Sequence, residues 1–225
     1  MNQKFSAFLS SSLLTAGIAS LGLGLNVTPV QAFELNFGSA SKSSNDPATG
    51  SSAIVDFNFT QSGDNVLVNL NLFNTTGATT FGSGATKSTL MGFAFDLLDG
   101  ITIDSFIGNS NFKNLSSNVD LQPFDTFDVG ISLNSNFIGG NPNGGLTQGL
   151  SSGVSFLLKG TSALLAETLE QKFFKGFDDG TLKWATRFQA VNAGAGSDKL
   201  LGGTITGAPE VPVTPQPPAP EVPVT

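Results

Sequence analysis

Apolar side chains recur at every second position along much of this chain, a spacing that belongs to strands. Phe33-Glu34-Leu35-Asn36-Phe37 opens the series, with Phe33, Leu35 and Phe37 on one face and the polar pair on the other. Val55, Phe57 and Phe59 alternate with Asp56 and Asn58, then Val66, Val68, Leu70 and Leu72 with Asn69 and Asn71, and Gln61-Ser62-Gly63-Asp64 supplies a turn between the two runs. This predicts a β-hairpin whose apolar face must meet another layer. Met91, Phe93, Phe95 and Leu97 repeat the pattern up to Asp99-Gly100, after which Ile101-Thr102-Ile103 predicts the return strand of a second hairpin. Further strands are predicted at Phe127–Leu133 and Val154–Leu158, and through Leu182, Trp184, Thr186 and Phe188.

One segment has a different period. From Ala163, with Thr161 or Ser162 as N-cap, Leu165, Leu169 and Phe173 recur every four residues up to Gly176, which predicts one short helix. Lys172 and Lys175 suit its C-terminal dipole, and Gly176 suits a left-handed stop. Ser39–Ser52, Thr75–Ser88 and Gly139–Gly145 are rich in Ser, Thr, Asn and Gly and read as loops. The expected fold is mainly β: an antiparallel β-sandwich with one short helix, a barrel being the alternative because periodicity does not give strand order.

The first 32 residues do not share this pattern. Lys4 gives a positive start, Phe5–Leu25 is apolar apart from serines and Thr15, and Val30-Gln31-Ala32 places small residues at the cleavage positions. These are the marks of a secretory signal peptide, with a mature chain beginning at Phe33. The other reading is an uncleaved anchor, since the stretch approaches spanning length; against it stand Gly22, Gly24 and Pro29 and the lack of a basic cluster on either flank. With no Cys to carry a lipid, a lipoprotein is excluded. Three regions follow: a leader at 1–32, a body at 33–201 and a tail at 202–225.

Removing the leader takes away one lysine and no acid, leaving 17 acids against 9 bases and a net charge near −8. Such a surface repels nucleic acid. Lys172, Lys175, Lys183 and Arg187 form a local basic grouping, read as a solvated helix end and strand face. Cysteine is absent from a chain bound for an oxidising route, so stability must come from an apolar core or bound ions. About 170 residues suffice to bury roughly 70% of the unfolded surface. Histidine and tyrosine are absent too, which removes the usual neutral-pH base, the commonest zinc ligand and the Ser-His-Asp and Cys-His pairs.

The tail repeats itself. Ala208–Thr214 reads APEVPVT and so does Ala219–Thr225, with Pro215-Gln216-Pro217-Pro218 between. Proline fixes φ and deletes amide donors, so an extended spacer of about 3.1 Å per residue is expected, serving as a stalk or as an inert secretion tail.

Ala185-Thr186-Arg187-Phe188-Gln189 followed by Gly196-Ser197-Asp198-Lys199-Leu200-Leu201-Gly202-Gly203 resembles the block ahead of the sorting tail in cyanobacterial exported proteins of the PEP-CTERM type. Phe93-Ala94-Phe95-Asp96-Leu97 with Asp99-Gly100-Ile101 resembles the cohesin-like sandwiches common among them. The resemblance implies a cohesin-like or jelly-roll-like sandwich in an extracellular or surface protein with no assigned reaction. That family ends in Pro-Glu-Pro, a membrane-spanning stretch and arginines, whereas Pro209-Glu210-Val211-Pro212 leads here to more proline. Release to the medium or periplasm, without a sorting anchor, is therefore expected.

Among candidate chemistries, Asp178-Asp179-Gly180 and the set Asp120, Asp125 and Asp128 are the acidic groupings a calcium ion would suit, although neither has Asp-x-Asp-x-Asp-Gly spacing. Turn residues on a solvated surface are the simpler reading. A glycosidase needs two opposed carboxylates; Glu167 and Glu170 lie three apart on the predicted helix, where an exposed face is the ordinary outcome. Trp184 falls in line with Leu182 and Phe188, so core packing is favoured over a sugar-stacking platform. Gly139–Gly145 lacks the Lys-Ser/Thr of a phosphate loop. The sequence thus predicts a secreted, non-catalytic cell-surface or matrix protein that needs no cofactor. The alternative is a module binding carbohydrate or calcium in adhesion, with extracellular polysaccharide or cell-surface proteins as partners.

Overall fold

In a computed structural model, which describes residues 31–207 apart from 136 and 138, the first predicted hairpin is present. β3 (Ala53–Ser62) and β4 (Asn65–Asn74) pair from Ala53↔Asn74 to Ser62↔Asn65. The two residues between them turn the chain, and Gly63 supplies the positive φ (+61°) that a tight connection needs. Most of the leader and the proline-rich repeat lie outside the described residues.

The other strands are β1 (Gln31–Phe37), β2 (Lys42–Ser43), β5 (Thr89–Phe95), β6 (Thr102–Ile107), β7 (Asn114–Asp120), β8 (Thr126–Ser132), β9 (Leu146–Thr147), β10 (Ser151–Lys159), β11 (Trp184–Gln189), β12 (Asp198–Leu201) and β13 (Thr204–Thr206); the helix α1 spans Ala166–Asp178. They build two antiparallel sheets. The first runs β13-β1-β3-β4-β10-β6 and the second β2-β12-β11-β5-β8-β7, with β9 added to β5. The sandwich takes in Thr204–Thr206 through the β1 ladder, past the Leu201 boundary expected from the sequence.

The inward faces meet in an aromatic core. Phe33 stacks on Phe57 at 5.0 Å, Phe93 on Phe95 at 5.3 Å, and Phe57 meets Phe95 edge-on at 5.7 Å across the sheets. Each buried Phe contributes roughly 1.5–3 kcal/mol by area, and well-placed ring pairs about 0.5–1.5 kcal/mol more. Trp184 is buried there, edge-on to Phe37 at 4.6 Å. The helix closes the core by setting Phe173 against Phe59 (5.8 Å) and Phe177 against Phe33 (6.1 Å).

Three local expectations are corrected. The second hairpin does not form: β5 lies in the second sheet, whereas β6 pairs with β10 in the first. The Asp99-Gly100 turn is real, with Ile101 N–H donating to Leu98 C=O (3.1 Å), but it carries the chain from one sheet to the other. The helix starts three residues late. Its first amide is capped by another element, Ala166 N–H donating to Gln61 Oε1 (2.9 Å), and neither Thr161 nor Ser162 caps it. Gly176 does not stop it either, because a Cβ there would fall 2.7 Å from Leu182 Cδ1; the glycine lets Leu182 pack, and Asp179 caps the end.

The third correction concerns β5 and Arg187. Every residue of β5 is buried, because the outer face of the second sheet is covered as well. Phe137 lies over Gly92 and Gly130, where added Cβ atoms would come within 2.8 and 2.9 Å of its ring. It packs with Val119, Leu121, Phe124 and Phe127 in a satellite cluster. Arg187, register partner of Gly92, is covered by the same loop and donates from Nη1 to Phe137 C=O (3.0 Å) and Gly139 C=O (3.3 Å). It is a buried clamp, not part of a solvated basic face. Burial lowers its pKa, and with the Gln189 amide turned to suit its neighbours, Gln189 accepts from Nη2 at 2.7 Å.

Candidate functional site

The sequence-selected acids do not converge. Asp179 accepts from Lys175 Nζ (2.7 Å) and Thr181 Oγ1 (2.7 Å), and these bonds hold its carboxyl down to about 2. Asp178 lines a groove of about 500 Å³ beside Lys183 and Trp184. Asp120 accepts from Gln122 Nε2 (2.9 Å) and Asp128 from the Leu97 amide (2.9 Å). Asp125 accepts from its neighbour Thr126 N–H and pairs with Lys183 Nζ at 3.1 Å, which together lower its pKa. Among the described residues, no three acidic, His or Cys side chains gather in a metal-holding group. Asp120, Asp125, Asp128 and Asp179 act as local turn and strand-end pins.

Asp198, within the family-like block, is a pin of another kind. It is buried, and its oxygens accept from Ser43 Oγ (2.7 Å), Ser44 Oγ (3.2 Å), Thr49 N–H (3.1 Å) and Thr49 Oγ1 (2.7 Å). The Ser39–Ser52 segment, expected to be a flexible loop, is tied to β12 by this carboxylate and by the short β2 ladder. Arg187, Gln189 and Asp198 thus hold loops in place, and nothing in their geometry presents them to a ligand.

Glu167 and Glu170 part company. Glu167 is exposed, but Glu170 is fully buried and neither carboxylate oxygen has a hydrogen-bond partner. Burial, and secondarily the Glu167 charge, push its pKa up to about 7. The exposed face expected for this pair is therefore corrected at Glu170. The spacing of Leu169, Phe173 and Phe177 leaves Glu170 on the edge of the helix's apolar stripe, and the stripe is wide enough to take it inside.

The surface that does assemble chemistry is the outer face of the first sheet. In register across it stand Thr206, Glu34, Asp56 and Asn71, and beside them Asn58, Asn69 and Ser155. Strand pleating puts all of these opposite the Phe core. Thr206 Oγ1 donates to Glu34 Oε2 (3.1 Å), Asn71 Nδ2 to Asp56 Oδ2 (3.2 Å) and Ser155 Oγ to Asn69 Oδ1 (2.7 Å). Glu34 and Asp56 face each other directly, a like-charge pairing that costs stability. Desolvation raises the Asp56 pKa, the Asn71 hydrogen bond opposes the rise, and the Glu34 charge adds to it. A depression of about 430 Å³ opens here, lined by Ala32, Glu34, Asp56, Asn58, Thr206 and Gly207. Phe73, on the same face as Asn71, is one of the exposed large apolar side chains.

This array sets two facing carboxylates between amide and hydroxyl groups, which suits multiple hydrogen bonds to a polyhydroxylated or amide-bearing partner. In the sequence these residues are only the polar half of an alternation. The available signal was their identity, Asn and Asp where solvent-facing strand positions more often hold Thr or Lys. No family model, curated protein or solved structure matches the chain.

Proposed function

We propose that this chain is an exported, non-catalytic β-sandwich protein of the cell surface or extracellular matrix, which engages its surroundings through the polar outer face of the first sheet. The observation carrying the reading is the division of that sheet: an aromatic face sealed against the second sheet and the helix, and a half-buried to exposed Asn/Asp/Glu/Ser face turned outward. The leader pattern at 1–32 supports export, and the missing His, Tyr and Cys support a role without catalysis. The resemblance to PEP-CTERM-type exported proteins supports the same location.

The second reading, a carbohydrate- or calcium-binding adhesion module, is favoured by one feature: Asp56, which faces Glu34, has the exposed Phe73 on the neighbouring strand, two residues along from its partner Asn71. Polar edges beside an aromatic ring are what a sugar face uses. The test is co-sedimentation of the purified protein with extracellular polysaccharide from the producing cells, with and without calcium. Binding that is lost in the Asp56→Ala, Asn69→Ala, Asn71→Ala triple variant supports the face as the contact. Binding unchanged in that variant removes it.

A further inference from the structure

Asn-Gly occurs once in the chain, at Asn143-Gly144, and Asp-Gly twice, at Asp99-Gly100 and Asp179-Gly180. In such pairs the backbone nitrogen of the glycine can attack the preceding side-chain carbonyl carbon and close a five-membered ring, because glycine puts no Cβ in the way and gives the chain the freedom that closure needs. All three glycines have positive φ: +75° at Gly100, +92° at Gly144 and +76° at Gly180. The leaving group separates them. A carboxylate resists such attack, and that of Asp179 is also tied by Lys175 and Thr181. A carboxamide can give up ammonia, which makes asparagine one of the thermolabile residues.

Asn143 meets the remaining conditions. It and Gly144 are exposed, so water and hydroxide reach them. Asn143 N–H donates to Asn141 Oδ1 (2.9 Å), and Gly145 N–H donates to Pro142 C=O (3.0 Å) across the turn. Among the described residues, no hydrogen bond engages the Asn143 carboxamide or the Gly144 N–H. By contrast, Asn74, Asn109 and Asn114 donate from their side-chain amides to Leu146, Gly153 and Leu133 C=O, and none precedes a glycine.

We propose that Asn143 is a self-modification site: it cyclises with the Gly144 nitrogen and opens to aspartate or isoaspartate, releasing the turn it sits in. Hydroxide takes the proton from Gly144 N–H, the nitrogen forms a bond to Asn143 Cγ, and the bond from Cγ to the amide nitrogen breaks, so that ammonia leaves and a succinimide remains. One water then opens the ring. Opening at Cγ gives aspartate, whereas opening at the backbone carbonyl routes the main chain through Cγ and adds one atom to it.

The added atom falls in a stretch that is fixed at both ends. Gly139 C=O accepts from Arg187 Nη1 (3.3 Å), and Leu146 pairs with Leu90 in β9. Gly145 is seated so closely on β5 that a Cβ there would stand 2.4 Å from Thr89 Cγ2. Gly144 C=O also accepts from Asn111 Nδ2 (2.9 Å). The Pro142–Gly145 hydrogen bond spans the lengthened link and is lost in the isoaspartate form. Molecules that have aged thus carry an extra negative charge and a loosened loop over β5.

The test holds the purified full chain at pH 8, with a pH 5 sample as control, and follows its charge, its intact mass and the peptides of a digest. The expected result is a more acidic form that grows in faster at pH 8, with the Asn143 amide replaced by an acid and isoaspartate present beside aspartate. Amide exchange at Gly145 is faster in the isoaspartate form. Asn143→Gln, which would have to close a larger ring, loses the acidic form. An Asn143 amide still intact when a synthetic peptide of residues 139–147 has converted overturns the proposal, as does a new acid that maps to any other asparagine. Conversion to isoaspartate with unaltered exchange at Gly145 overturns the release of the turn.

Discussion

Replacing Asp198 separates a buried pin from a solvated turn acid. In Asp198→Ala four donors lose their acceptor: the hydroxyls of Ser43 and Ser44, and the amide and hydroxyl of Thr49. Ser43 and Ser44 are half-buried and can turn to water, whereas Thr49 is fully buried and cannot. The Thr49 amide is orphaned and its hydroxyl is left with Ser51 Oγ (3.0 Å) alone; with the charged acceptor and the β2 anchor lost, the cost is about 2–4 kcal/mol. Asp198→Asn should cost about 1 kcal/mol, because the amide oxygen can keep Thr49 while the amide nitrogen donates to hydroxyls free to rotate. With a urea m-value of about 2 kcal/mol/M, alanine moves the unfolding midpoint by about 1–2 M and asparagine by about 0.5 M. A loss below about 0.5 kcal/mol for alanine, or an asparagine variant as unstable as the alanine one, would refute the pin.

Other expectations follow from the same geometry. Gly130→Ala should cost about 1–3 kcal/mol, since its Cβ would stand 2.6 Å from Val119 Cγ2 and 2.9 Å from the Phe137 ring; thermal melts check this, and an unshifted melt contradicts the Phe137 lid. Burial makes Glu170 bind its proton more tightly in the folded than in the unfolded chain. Its stabilising contribution is therefore full below about pH 4.5 and is lost as pH rises through about 7. Urea midpoints at pH 4.5 and 8 should show this fall, and Glu170→Gln should abolish it; a wild-type midpoint whose fall is equal in the variant contradicts the assignment. Arg187→Met should loosen the 137–140 loop, read as faster amide exchange at Gly139 and Gly140, and unchanged exchange there would show that the guanidinium does not hold it.

How far the sequence could be read depended on what covers each strand. β3 and β4 were legible because one face packs on rings and the other meets water, so period two survives intact in Val55, Phe57, Phe59 and their partners. β5 was only half legible: Gly92 and Ala94 on its outer face resemble exposed small residues, and only the fold shows Phe137 seated on the glycines. The false second hairpin has the same origin, because a tight turn at Asp99-Gly100 fixes chain reversal but not which sheet receives the next strand. Arg187 and Asp198 resemble surface charges in a string of residues. Their burial depends on loops distant in sequence, 137–140 and 43–49, which periodicity cannot bring together. The polar face of the first sheet was visible residue by residue, but it became a surface only once β1, β3, β4 and β10 were known to be neighbours.

Location tests the central claim most directly. Producing cells are fractionated into cytosol, envelope and medium, and the protein is followed by antibody and intact mass. The account predicts a chain lacking residues 1–32 in the envelope or medium, whereas full-length protein held in the cytosol would contradict it.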